Sequence, residues 1–315
     1  MDKPHVLASV IILTKNGEAY LRALLGALAA QKLESGFETV VIDSGSTDCT
    51  LDIVSEFPSV RLHAIPPEEF GHGKTRNLGA RLAQGEILVY IPQDATPVGD
   101  DWLEKLLRPF ASHAVAGVYA RQLPRAEANA MEKFFLGEAY PASPAIRSLA
   151  PGELPMLANC FFSTVSGAVR ASVRAQHPFR EDIIMSEDQA WAADVLRSGH
   201  VLAYAPDACV LHSHPYSVAD VFRRNFDSGY SIRQIFDGRT GIPASRALLR
   251  LAKAAGHVLR TGSVCDRLRF LPYEAARHAG FLLGVHAERL PLFLRKRFSS
   301  LRYFWEPRGG NGNEA

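Results

Sequence analysis

Residues 70–80 read FGHGKTRNLGA, and the parsing of that stretch decides the fold. Its centre, GHGKT, has the ending of a Walker-type loop, whose backbone N–H groups wrap a nucleotide's phosphates between a strand and a helix. Such a loop needs a glycine five positions before the glycine of Gly-Lys-Thr. Counting back from Gly73 reaches Glu68, followed by a second acid, Glu69. Carboxylates there repel phosphate, and no strand-like run leads straight into the loop. An ATPase core is therefore rejected. The stretch reads instead as a loop entering a helix. Gly71 and Gly73 permit close backbone approach. Lys74 and Arg76 stand in a first turn, where a helix N-terminus already favours anions.

On either side of this stretch, strand and helix signals alternate. VLASVIILT (6–14) is a β-rich apolar run, and YLRALLGALAAQ (20–31) carries leucines and alanines at helical spacing. FETVVID (37–43) reads as a second buried strand. TDCTLDIVSEF (47–57) reads as a helix opening with capping-type residues, and VRLHAI (60–65) as a third strand. After the helix GKTRNLGARLAQ (73–84) come a fourth strand, EILVYI (86–91), a helix, DDWLEKLLRPF (100–110), and another strand, AVAGVYARQL (114–123). This alternation predicts an open α/β sheet with mainly parallel strands. Ligands of such sheets bind beyond the carboxyl ends of the strands. The polar residues to read are therefore Thr14, Lys15 and Asn16, the run Asp43–Asp48, and Gln93 with Asp94. From about residue 216 the pattern turns helical and basic, and RGGNGNEA (308–315) reads as a frayed tail.

The composition, 47% hydrophobic and 22% charged over 315 residues, is that of an ordinary globular protein. The N-terminus lacks the features of a signal peptide, and no run of about 18 uncharged apolar residues predicts a membrane span. Cys49, Cys160, Cys209 and Cys265 form no CxxC pair and are expected as buried, reduced thiols of a cytoplasmic protein. The formal charge of +2 hides an asymmetry: residues 1–219 carry 18 Lys/Arg against 25 Asp/Glu, residues 220–315 carry 17 against 8. An acidic body with a basic tail points the tail toward something anionic.

The stretches VIILTKN, VVIDSGSTDCT, GHGKTRNLGA, YIPQDATP, SEDQAWAADVLRSG and VLHSHPYS occur in the order found in family 2 glycosyltransferases. Over roughly residues 6–235 the chain resembles that family. The wording QDATP, VYARQLPR and HSHPYS is most similar to its bacterial rhamnosyltransferases. The resemblance implies a GT-A fold: a Rossmann-like open sheet, mainly parallel, here with a helical C-terminal extension. It implies a catalytic domain over 1–215 (nucleotide-binding half to about 120, acceptor half 121–215), a basic helical extension over 216–307 and a flexible tail over 308–315. It also implies an inverting transferase, with dTDP-L-rhamnose as donor and a saccharide or lipid-linked saccharide as acceptor.

A transferase of this kind must hold a base and ribose, neutralise a departing pyrophosphate and deprotonate an acceptor hydroxyl. Thr14, Asn16, Asp43 and Gln93 stand at strand ends on the donor side. Asp43, placed like the family's base-contacting aspartate, is read as a nucleotide contact, and Asp48 as a helix cap. Lys74 and Arg76 would face the donor's charged half. PQDA (92–95) replaces the family's Asp-x-Asp: Asp94 matches the second aspartate and Pro92 stands where the first is missing. Mg²⁺ or Mn²⁺ often bridges phosphates on one or two protein carboxylates, so Asp94 alone can suffice. Glu187-Asp188 matches the family's Glu-Asp pair, implying Asp188 as general base and Glu187 as the residue that orients the acceptor hydroxyl or touches the acceptor. His212 and His214, two apart at a strand end, should point to opposite faces. The resemblance favours His212 as the metal or diphosphate contact. Arg121, Arg125, Phe134 and Phe135 are left without a role.

In the basic tail, helical projection of residues 246–260 at about 100° per residue gathers Arg246, Arg250, Lys253, His257 and Arg260 on one face. Leu248, Leu251, Ala252, Ala255, Val258 and Leu259 fall opposite. If the apolar face packs inward, the basic face lies outside. Farther on, LPLFLRKRFSSLRYFWEP (290–307) interleaves cations with aromatics. Such segments suit anionic membrane surfaces, so peripheral binding to the inner leaflet through residues 244–307 is expected. No nucleic-acid recognition motif accompanies the charge. A nucleotidyltransferase would need a glycine-rich loop after the first strand, and an NAD enzyme a GxGxxG; the chain has neither. A non-catalytic sugar-nucleotide-binding protein would suit the missing aspartate but gives no reason for Glu187-Asp188.

Overall fold

A computed structural model of the chain describes residues 6–306, so the expected tail over 308–315 lies outside the described residues. The first half alternates as predicted: β1 (Ala8–Thr14), α1 (Leu21–Ala29), β2 (Phe37–Asp43), α2 (Thr50–Ser55), β3 (Val60–Ala64), α3 (His72–Leu82) and β4 (Ile87–Pro92). Next come β5 (Thr96–Pro97), α4 (Trp102–Leu107), β6 (Val115–Leu123), α5 (Ala130–Ala139), β7 (Ala145–Arg147), β8 (Gly167–Arg170), α6 (Ala171–Gln176), α7 (Glu187–Arg197) and β9 (Val201–Leu211). The chain then turns helical: α8 (Val218–Phe236), α9 (Ala244–Thr261), α10 (Val264–Val285) and α11 (Leu292–Phe298).

The strands form one sheet in the order β3-β2-β1-β4-β8-β6-β9-β5, with β7 on β9. The β3-β2-β1-β4 half is wholly parallel, and β6 and β9 are parallel as well. Antiparallel β8 is inserted between β4 and β6. Period-two alternation explains why both faces are covered. Val10 and Ile12 of β1 enter one core with α1 and α4; Ile11 between them enters the other, with Phe162 and Trp191. Gly79 of α3 lies so close to the sheet that a Cβ there would stand 2.5 Å from Ile11 Cγ2.

The C-terminal helices are not a loose appendage. At Gly284 of α10 an added Cβ would meet the Phe226 carbonyl of α8 at 2.0 Å, so only glycine allows the two helices this approach. The buried Asp227 carboxylate accepts from the Ser300 N–H at 2.8 Å, and Trp305 packs on Tyr230 and Phe226. Phe135 stacks on Tyr273, with the Arg250 and Arg277 guanidinium groups 5.0 and 5.1 Å from its centroid, so Phe134 and Phe135 are packing residues of α5. This corrects the facing expected of α9. Arg250 and His257 turn inward onto α5 with Ala254 and Val258, while Leu248, Leu249 and Leu259 stay exposed. Aromatic rings on α5 offer cation–π partners that a two-face projection cannot anticipate. The cysteines are free, but Cys49 and Cys265 are exposed, at the starts of α2 and α10, against the expectation of buried thiols. No helix among the described residues is long and apolar enough to cross a membrane.

Candidate active site

A cleft of about 1120 Å³ opens where β1, β2 and β4 end. Thr14, Lys74, Arg76 and Gln93 line it, as do Glu68 and Glu69, the acids that rule out a Walker loop. Thr164, Ile184, Tyr303 and Phe304 also line it, the last two brought from the far end of the chain.

The donor-side residues divide by what occupies their polar atoms. Gln93 Oε1 accepts from Thr14 Oγ1 (2.6 Å) and from the Lys15 N–H (2.9 Å), locking the loop after β1 to the end of β4. Asn16, at φ +50°, bridges to the next loop: its N–H donates to Ser46 Oγ, and its Oδ1 accepts from the Thr47 N–H. Asp43 is buried and accepts from the N–H groups of Gly45 and Ser46 and from the Ser46 hydroxyl, so it holds the turn after β2 and does not line the cleft. Asp48 is not the N-cap of α2, which is Cys49; from one residue earlier its carboxylate accepts from the Thr50 N–H at the start of the helix. Lys74 is exposed at the cleft. Gly73 is required by packing, since an added Cβ would lie 2.1 Å from the Arg180 carbonyl oxygen.

Arg76 lines the cleft and is also tied to the helix that carries the acid pair. It bonds Glu187, and both side chains are nearly buried. Burial alone would raise the Glu187 carboxyl, but the guanidinium, with His72 beside it, outweighs this and holds it below the usual range. Ser186, just before the pair, sits at φ +64°, a conformation that costs a non-glycine residue energy and recurs at functional sites. Asp188 is then held by three donors: the Gln189 N–H (2.8 Å), the Thr164 N–H (3.1 Å) and the Thr164 hydroxyl (3.4 Å). Burial, then the neighbouring Glu187 charge, push its carboxyl up to about 6. The pair thus divides into one acid fixed as an anion and one poised near neutrality, the separation that acid–base chemistry uses.

Just past the ends of β4 and β9, Asp94, His212 and His214 place their ligating atoms within 4.8 Å of one another. The Asp94 carboxylate is 3.6 Å from His212 Nε2 and 3.3 Å from His214 Nε2, and the two Nε2 atoms are 3.0 Å apart. This corrects the expectation that the histidines point to opposite faces. β9 ends at Leu211, so strand alternation no longer governs them. Gln122 Nε2 donates to Tyr140 Oη and Ser163 Oγ, which leaves Gln122 Oε1 to accept from His212 Nδ1 at 2.8 Å. A proton on His212 Nδ1 leaves its Nε2 with the lone pair that a metal-ligating imidazole uses, here turned toward His214 Nε2. Burial, more than any charge, lowers both histidines from their ordinary values, to about 4 for His212. One carboxylate and two neutral imidazoles fit a divalent cation. Arg125, unassigned from sequence, steadies the loop by donating to the Asp94 carbonyl at 2.8 Å.

Residues 9–162 match the glycosyl transferase family 2 model. The chain is 30% identical over 305 residues to the O-antigen chain rhamnosyltransferase RfbN of Salmonella typhimurium, covering 94% of this chain and 95% of that protein. The chain belongs to glycosyltransferase family 2. This glycosyltransferase is also 32% identical over 276 residues to the O-antigen chain rhamnosyltransferase WbaN of Salmonella anatum, covering 85% and 86% of the two chains. Among solved structures, a mannosyltransferase from Pyrobaculum calidifontis in complex with GDP-Man and Mn²⁺ shares its fold with a TM-score of 0.60 at 19% identity, over 90% of this chain and 87% of that one. The first 349 residues of Staphylococcus aureus TarS superpose with a TM-score of 0.53 at 17% identity, over 90% and 91%. The fold is accordingly GT-A.

Four residues of the candidate site are not legible from local sequence. Strand periodicity points His214 away from His212, which the turn after β9 overrides. Gln122 and Thr164 act through hydrogen bonds that no local pattern shows. Tyr303, 46% exposed, reaches the cleft from the far end of the chain, which no local pattern shows. For Thr164 a backbone signal existed only in three dimensions: Ser166, two residues on, is at φ +63°.

Proposed function

We propose that this enzyme is an inverting transferase that moves L-rhamnose from dTDP-β-L-rhamnose to a hydroxyl of a saccharide or lipid-linked saccharide, in bacterial cell-surface polysaccharide synthesis. The similarity to two O-antigen rhamnosyltransferases, over 85–95% of each chain, supports the sugar transfer from which the donor is inferred. The observation that carries the reaction is Asp188, held by Thr164 at the cleft and raised toward neutrality beside an anionic Glu187. On this reading Asp188 takes the acceptor's hydroxyl proton as its oxygen attacks the anomeric carbon. The bond from that carbon to the diphosphate breaks, and its electron pair leaves with the nucleoside diphosphate. A single displacement inverts the centre, so a β-linked donor yields an α-L-rhamnoside.

Thr14, Asn16, Gln93 and Lys74 would border the donor, and Asp43 would meet its base if its turn opens. Arg76 acts through Glu187, keeping that acid charged. Asp94, with His212 and His214, would hold Mg²⁺ or Mn²⁺, and the imidazoles favour Mn²⁺. Such a cation, when bound, neutralises charge on the departing diphosphate. A lipid-linked acceptor would set the reaction at the inner face of the cell membrane.

The test is to incubate purified enzyme with dTDP-rhamnose, UDP-sugars and GDP-sugars, with Mg²⁺ or Mn²⁺, and to follow donor binding by saturation-transfer NMR and nucleoside diphosphate release. Binding of dTDP-rhamnose alone supports the reading. UDP- or GDP-sugars binding while dTDP-rhamnose does not would sink the donor and keep the class; two fold relatives are described with GDP-Man and with UDP-GlcNAc.

A further inference from the structure

The exposed faces of α9 and α10 break the rule that large apolar side chains on a monomer's surface are scattered. On α9, Leu248, Leu249 and Leu259 are 69%, 57% and 63% exposed. On α10, Val264, Leu268, Leu271 and Leu282 are 71%, 75%, 74% and 61% exposed. The four α10 residues fall at i, i+4, i+7 and i+18, within about 60° of one another at about 100° per residue, so they form one stripe along the helix. The opposite side of α10 supplies Phe270, Tyr273, Gly280 and Gly284 to the fold. The stripe is therefore surplus to folding.

Its surroundings select the occupant. Residues 244–305 carry 12 Lys/Arg and 3 Asp/Glu. Two of those acids serve locally: Glu274 is buried and bonded to Arg277, and Asp266 caps the Ser263 turn. Arg260 and Arg267 are exposed beside the leucines, and Arg269 is exposed farther round α10. A second copy of the chain would bring the same positive surface against itself across a two-fold axis, and like charges in apposition oppose association. An anionic bilayer accepts both features at once, with leucines entering the headgroup region and cations meeting lipid phosphates. No helix among the described residues is long and apolar enough to cross it.

We infer that α9 and α10 form an in-plane docking surface for an anionic lipid bilayer, made by leucines that the fold leaves outside. The basic-aromatic segment over 290–307 plays the lesser part. Its Phe298, Phe304 and Trp305 are packed against Phe226 and Tyr230, and its Arg295 stacks over Trp305. The inference stands on this face and not on the sugar transferred.

The test uses the full chain, without donor or acceptor, in co-sedimentation with vesicles of phosphatidylglycerol mixed into phosphatidylcholine and with phosphatidylcholine alone. Pelleting with the anionic vesicles that fades with salt is expected. Arg260→Glu and Arg267→Glu should each weaken partitioning at least about fivefold, the equivalent of about 1 kcal/mol per charge. Leu268→Ser with Leu271→Ser should weaken it without lowering the thermal midpoint. If that pair fails to fold, the arginine variants still decide the matter. Failure to pellet at low salt overturns the proposal, as does binding that ignores every one of these substitutions. A dimer in sedimentation velocity that the leucine variants abolish, with no vesicle binding, overturns it in favour of self-association.

Discussion

The cleft and the outer face of the C-terminal helices depart from ordinary burial in opposite directions. At the cleft and beside it, charged and polar groups are largely buried: Arg76 on Glu187, Thr164 on Asp188 and, past the end of β9, Gln122 on His212. On α9 and α10, apolar groups are exposed amid cations. Burying a charge costs stability unless it is paired, and exposing leucine forgoes about 1.5–3 kcal/mol of burial. Neither arrangement serves folding. What the two regions share is that each is prepared to meet something absent from the folded chain alone, the one through pre-set hydrogen bonds and the other through unused apolar area.

This contrast breaks most decisively at Asp188. Asp188→Asn should lower kcat by about 10²–10⁴-fold with donor affinity near wild type, because a general base acts only in the transition state. Steady-state rates beside donor-binding calorimetry will show this; full turnover would move the base elsewhere, with Glu187 the first suspect. Next in size is Arg76→Met, which strands the buried Glu187 charge and should cost about 3–5 kcal/mol in urea unfolding. Adding Glu187→Gln should recover most of that loss; no recovery would show that the two do not act as a pair. Gln122→Leu should weaken Mn²⁺ binding by about 10–100-fold, the usual cost of removing a group that orients a ligating histidine, as read by Mn²⁺ titration in electron paramagnetic resonance.

A smaller effect sharpens the electrostatic half of the comparison. Asp188 must be ionised to accept a proton, and its carboxyl is raised to about 6. kcat/KM should therefore fall about tenfold per pH unit below that point and level off above it. Glu187→Gln removes a charge that raises Asp188 and should move this limb to lower pH. Arg76→Met removes one that lowers it and should move the limb to higher pH. Limbs that stay put would detach the profile from Asp188. The smallest effect belongs to the outer face. Leu271→Ser should change stability by under about 0.5 kcal/mol and leave turnover on a water-soluble acceptor unchanged. A large loss of stability would show the stripe to be covered by the protein itself.

The sheet was legible because its strands are local, apolar and bounded by turn residues: FETVVID is β2 residue for residue. The rejection of a Walker loop at Glu68 and Glu69, the family, and the candidate residues at strand ends could all be read along the chain, since each depends on spacing within one motif. Tertiary structure decided what those side chains touch. Arg76 and Glu187 are 111 positions apart, and His212 and Gln122 are 90 apart. No periodicity reports contacts at such separations. It also decided which side of α9 is outside, because the rings of Phe134 and Phe135 on α5 draw Arg250 and His257 inward, a partner that the helix's own sequence does not contain. Local spacing sets what an element is; packing against elements distant in sequence sets which of its faces remains available for function.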